Sequence, residues 1–167
     1  MGNATNPEAL EATVGMLAER LDRVEAELAL RRLVHDYCVG ADHRDLDRWR
    51  EVWTEDAVWE TSPEPDRIYQ GRAAICEVVE GQWETFPVMQ HATSNHTIEH
   101  LGRDTATGRC DAVVMAQLPD EQWLVGGNAY EDEYRRENGR WRIARRRVVR
   151  PFDLGPLSTL HRQEEDG

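Results

Sequence analysis

Apolar residues at Leu10, Val14, Leu17, Leu21, Val24 and Leu28 alternate steps of four and three, the stripe of a helix that packs along another helix. The stripe covers fewer than three heptads, too short for a free-standing coiled coil. It is expected against a neighbouring subunit or over the domain's own flank. At Leu30 the register shifts and continues through Leu33, Val34, Tyr37, Cys38 and Ala41. That shift predicts a bend or break near residues 28–31, then a core helix ending around Gly40. Asp45 can cap a short helix that buries Leu46, Trp49, Val52 and Trp53. Residues 57–61 read as a strand, followed by a loop with Pro63 and Pro65 and a brief extended piece at Ile68 and Tyr69. Gly71 precedes a third helix, 72–84, with Ile75, Val78, Val79 and Trp83 inward.

The period then changes to two. Strands are expected over 89–101, 109–118, 122–136 and 140–149, with turns at 104–108 and Pro119-Asp120 and a hairpin at Glu137-Asn138-Gly139. Helices followed by a meander of long strands imply an α+β fold. The picture is a cone, or open-mouthed α+β barrel, of curved antiparallel or mixed sheet closed by N-terminal helices, with an extra helix at the N-terminus. Its interior suits a hydrophobic small molecule. One domain is expected over 10–150, between a frayed 1–9 and a C-terminal tail, 151–167.

Composition narrows the function classes. A formal charge of −12 disfavours nucleic acid and anionic membranes as partners. All 20 basic residues are Arg, so a lysine Schiff base is impossible. Cys38, Cys76 and Cys110 are odd in number and widely spaced, which argues against a disulfide framework and for a reducing, cytoplasmic setting. No phosphate-binding glycine loop is present, and no cofactor is expected.

The stretch Met89–Leu101, MQHATSNHTIEHL, puts polar side chains where a core strand would carry Val or Leu. It either lines a cavity or lies exposed. Strict alternation places His91, Thr93, Asn95 and Thr97 on one face and His96, Ile98 and His100 on the other. His96 and His100 would stand about 13 Å apart, too far to share a metal, and no metal site is expected. Asp42, in VGADHRD, is either a surface carboxylate or the partner that orients His91 as a base. Tyr37 and Tyr130 are candidate donors or packing residues, and Trp59 is cavity wall or core. In Arg145-Arg146-Arg147, either the middle residue or the outer pair faces inward, where an Arg could stabilise negative charge.

Tyr37 five residues before Asp42, then DHRDLDRWREVWTEDAVW, HATSN and GGNAYEDEYRRENGRWRIARRR, resemble the SnoaL-like branch of the nuclear transport factor 2-like superfamily over roughly residues 20–150. Within it the pattern is similar to the cofactor-free lyases: hexachlorocyclohexane dehydrochlorinase, scytalone dehydratase and bile-acid dehydratase. The resemblance implies Asp42 as orienting carboxylate and His91 as base, with Tyr37 near the substrate. Trp53, Trp59, Asn95 and Tyr130 would serve as substrate-binding residues, and Arg146 would lie near the departing group. Where the bile-acid enzyme carries a further acid on the next strand, this chain has Val114. The implied activity is a dehydratase-like or related β-elimination or retro-aldol lyase acting on a hydrophobic cyclic or aromatic compound. The alternatives are an isomerase or cyclase of a steroid-like or polyketide substrate, and a non-catalytic ligand-binding or assembly subunit. A homo-oligomer is expected, a trimer by analogy with the lyases or a dimer by analogy with the isomerases.

Overall fold

The two apolar stripes at the N-terminus belong to one uninterrupted helix. The computed structural model describes residues 6–61, 67–149 and 155–156. In it α1 runs from Pro7 to Asp42, capped by Asn6, whose Oδ1 accepts a hydrogen bond from the Glu8 N–H at 3.2 Å. The expected break at 28–31 is absent, and residues 7–9 are helical rather than frayed. Leu28 and Leu30 lie about 200° apart around a helix. The register shift in the sequence is therefore a change of face. Ala26, Leu30, Leu33, Val34, Tyr37, Cys38 and Ala41 are buried, while the residues from Leu10 to Leu28 in the first stripe are exposed.

The remaining elements are α2 (Leu46–Glu51), β1 (Trp53–Glu60), β2 (Ile68–Gln70), α3 (Arg72–Thr85), β3 (Val88–Leu101), β4 (Thr105–Gln117), β5 (Trp123–Glu137), β6 (Arg140–Val148) and the short β7 (Gly155–Pro156). The sheet order is β2-β1-β6-β5-β4-β3, with β7 pairing β5. Among the described strands only β1 and β6 run parallel to each other, so the sheet is mixed. The fold is α+β, as expected. The sheet is not closed into a barrel, and β2 and β3 end the main path.

Several boundaries differ from the expectation for local reasons. Trp53 belongs to β1, paired with Ile143, rather than to the buried face of α2. β4 starts at Thr105, and the turn before it is tightened by the Gly102 N–H donating to the Thr105 carbonyl at 2.9 Å. The hairpin between β5 and β6 forms at Asn138 and Gly139, both at positive φ (52° and 78°), as Asn-Gly favours. The loop holding Pro63 and Pro65, residues 1–5 and the tail other than 155–156 lie outside the described residues.

The core sits between the C-terminal half of α1, α2, α3 and the inner sheet face. Leu30, Trp53, Ile75, Val79 and Ile143 are 0% exposed there. Gly40 lets α2 cross α1 closely, since a Cβ at Gly40 would stand 2.9 Å from the Trp49 backbone nitrogen. Beyond the helix end, Arg44 adopts φ 55° and its Nη2 donates to the carbonyls of Trp83, Phe86 and Pro87. This clamp ties the end of α1 to the approach to β3.

Candidate active site

Asp42 is the last residue of α1, where the helix dipole disfavours a negative charge. His91 on β3 supplies compensating donors from 49 positions away. Its backbone N–H donates to Oδ2 at 2.8 Å, and its ring Nδ1 lies 2.6 Å from Oδ1. Facing an ionised carboxylate, which only accepts, Nδ1 would carry the proton and Nε2 would be left as the basic nitrogen. The side chains are 11% and 14% exposed for His91 and Asp42, so both are largely sheltered from solvent. Opposite His91 on β4 stands Val114, which cannot supply a further proton.

Tyr37 connects this pair to a second one. Its ring meets the His91 imidazole edge-on, 6.0 Å between centroids, and lies under the Arg146 guanidinium at 4.1 Å. Tyr130 covers the guanidinium at 4.5 Å. Arg146 is therefore the inward member of its triplet, while Arg145 and Arg147 reach outward to Glu60 and Glu131. Inside, Arg146 donates Nε and Nη2 to the Asp132 carboxylate at 2.8 and 2.7 Å, and both side chains are 0% exposed. Nη1 is buried without a hydrogen-bond partner among the described residues.

The surrounding groups keep their protons. Burial raises Tyr37 well above the usual phenol range and pushes Tyr130 up to about 12. Burial also raises the Cys38 thiol, which lies 3.9 Å from the Thr93 hydroxyl, and pushes Cys110 up to about 12. The tyrosines can thus donate hydrogen bonds at neutral pH, and the thiols are not thiolates. Among the described residues no three His, Cys, Asp or Glu side chains converge as a metal site.

Asn95 departs from the expected placement. It takes φ 53°, and the pairing of β3 with β4 slips between Ser94 and Thr97, the signature of a bulge. Alternation therefore breaks at this point. Asn95 turns outward, is exposed, and donates to Asp111 at 3.1 Å. His96 turns inward instead, with Nε2 3.1 Å from the Tyr134 hydroxyl, which donates to Asp132 at 2.8 Å. Burial lowers the His96 pKa, against the opposing pull of Asp132. Trp53 and Trp59, 0% and 4% exposed, pack in the core with Trp49 through edge-on and tilted ring contacts.

The sequence reading does not reach Asp132 and places His96 on the wrong face of β3. Asp132 could have been found: it shares the parity of Tyr130 and Tyr134, and an inward Arg on the adjacent strand requires an acid. His96 could not be found by alternation, because one Asn at positive φ reverses it. Two surface clefts, of about 620 and 300 Å³, lie away from the pair and are lined by neither Asp42 nor His91. The inner sheet face is filled largely by the aromatic rings around Arg146.

Residues 22–147 match the model of the SnoaL-like domain. No curated protein matches the chain. Among solved structures it is similar to hexachlorocyclohexane dehydrochlorinase LinA type 2, with TM-score 0.75 and 24% identity over 83% of this chain and 93% of that one. LinA-type3 from Novosphingobium barchaimii LL02 gives 0.74 and 26% over 83% and 94%. A candidate scytalone dehydratase from Novosphingobium aromaticivorans DSM 12444 gives 0.73 and 21% over 80% and 89%. No helix among the described residues is long and apolar enough to cross a membrane. With the family match spanning most of its length and the mixed sheet packed on three helices, the chain belongs to the SnoaL-like family within the nuclear transport factor 2-like superfamily.

Proposed function

We propose that the protein is a cofactor-independent lyase in which His91, oriented by Asp42, removes a proton from a hydrophobic cyclic or aromatic small molecule. One observation carries the reading. A helix-terminal carboxylate grips both the backbone and the ring of a strand histidine, at 2.8 and 2.6 Å, and leaves Nε2 free. The dehydrochlorinase and candidate dehydratase among the similar structures support a lyase or related reaction.

In the proposed step Nε2 takes the proton and the C–H electron pair becomes the new double bond. The leaving group departs with the electrons of the bond that breaks, a halide as the free anion and a hydroxyl group as water once it takes the proton held on Nε2. Asp42 stabilises the imidazolium that forms. The Arg146 guanidinium, enclosed behind the Tyr37 ring, supports the charge developing on the leaving group through its field and not by direct contact. With Val114 opposite His91, departure relies on this electrostatic support rather than on a carboxylic acid there.

The test is a panel of hydroxylated and halogenated ring compounds incubated with the protein and followed by mass. Elimination lowers the product mass by the lost group, and His91→Ala abolishes the change while the protein stays folded. Product of unchanged mass would indicate isomerisation, and turnover surviving in His91→Ala would remove His91 as the base.

A further inference from the structure

We infer that the N-terminal half of α1 is a parallel coiled-coil stem that joins two or more copies of this chain. Every residue from Pro7 to Glu25 is exposed, although the segment is continuous helix. Leu10, Val14, Leu17, Leu21, Val24 and Leu28 are each 54–61% exposed and form a single stripe. At 1.5 Å per residue it extends about 27 Å. Such a contiguous apolar surface on a helix marks a partner.

The stripe cannot fold back on its own domain. Numbered as heptads, Val14, Leu21 and Leu28 fall at a and Leu10, Leu17 and Val24 at d. The domain holds the other side of the same helix: Asp22, paired with Arg136 at 3.2 Å, is at b, and the buried Ala26, Leu30 and Leu33 are at f, c and f. Because α1 is unbroken, the stripe points away from the domain that anchors it. That anchoring also answers the short length, since the helix is nucleated by its buried half and the stem needs only propagation.

Flanking charges select the partner and its direction. Arg20 at g and Glu25 at the following e form no ion pair among the described residues of their own chain. In a parallel pair of identical helices, Arg20 of one copy meets Glu25 of the other, twice by symmetry. An antiparallel pairing centred on the stripe sets Arg20 near Arg20 and Glu11 near Glu25, like against like. A second copy in parallel register is therefore the occupant.

Cysteine cross-linking of the full chain tests this, with Cys38, Cys76 and Cys110 buried and silent. Val14→Cys, at the seam, is expected to form a disulfide-linked dimer under mild oxidation at least about tenfold faster than Glu19→Cys on the outer f position, because the seam sets a high effective concentration. Arg20→Glu should slow the Val14→Cys reaction, and adding Glu25→Arg should restore it. Circular dichroism checks that each variant remains helical. Equal rates for Val14→Cys and Glu19→Cys would overturn the stem, as would be seen if the stripe served a different protein or a lipid surface. Failure of the charge swap to restore cross-linking would overturn the parallel arrangement.

Discussion

Two acid–base pairs lie either side of the Tyr37 ring and are built for opposite ends. Asp132 and Arg146 are both 0% exposed, locked by two parallel hydrogen bonds and enclosed by Tyr37 and Tyr130. Asp42 and His91 are joined just as tightly but at a partly open edge, and the imidazole keeps one nitrogen uncommitted. The first pair fixes positions and its charges cannot change without large cost. In the proposed reaction the second takes up a proton and gives it back. Burial, more than the bond lengths, separates the two pairs.

The largest effect should come from the reactive pair. His91→Ala is expected to lower kcat/KM by about a hundred- to ten-thousand-fold, the usual worth of a positioned base, with little change in thermal midpoint. Asp42→Asn should bring a loss of the same order by releasing the tautomer, while its amide oxygen can still accept from the His91 N–H. Chemical denaturation reads the contrasting pair. Asp132→Ala leaves Arg146 buried and uncompensated, and should cost about 3–5 kcal/mol of stability. A stable Asp132→Ala protein would erase the distinction drawn between the two pairs.

Smaller effects sharpen the picture around the bulge. Gly108 sits where a Cβ would come 2.7 Å from the Thr97 carbonyl oxygen and 3.2 Å from the Tyr134 ring. Gly108→Ala should therefore destabilise by about 1–3 kcal/mol and disturb the contact of Tyr134 with His96. His96 gives a pH signature. Its folded pKa lies below the ordinary value of 6.5 because burial disfavours the cation. On acidification the unfolded chain binds a proton that the folded chain resists. Its contribution to stability is thus complete above pH 6.5 and declines as pH falls below that value. His96→Gln should flatten this decline in melts taken across that range.

Much of the fold was legible because local rules agreed with the global outcome. The Asn138-Gly139 hairpin, the Asp45 cap and the core faces of α1 and α3 all follow from turn chemistry and period. The misread places are those where one helix serves two surroundings or one residue leaves the regular pattern. The change of phase at Leu30 looked like a break because a single-domain reading expects one buried face per helix. Asn95 looked inward because nothing in a strand pattern announces a positive φ. The meeting of Asp42 and His91 could be suggested from the sequence only as one of two options and through resemblance. Their contact depends on Gly40, Arg44 and the start of β3 acting together.

The most direct test needs no substrate. Ring 15N NMR of His91 reports which nitrogen carries the proton and whether that choice depends on Asp42. The expected result is the Nδ1–H tautomer in the native protein, with a strongly deshielded ring proton that disappears in Asp42→Asn. An Nε2–H tautomer, or an identical spectrum in Asp42→Asn, would contradict it.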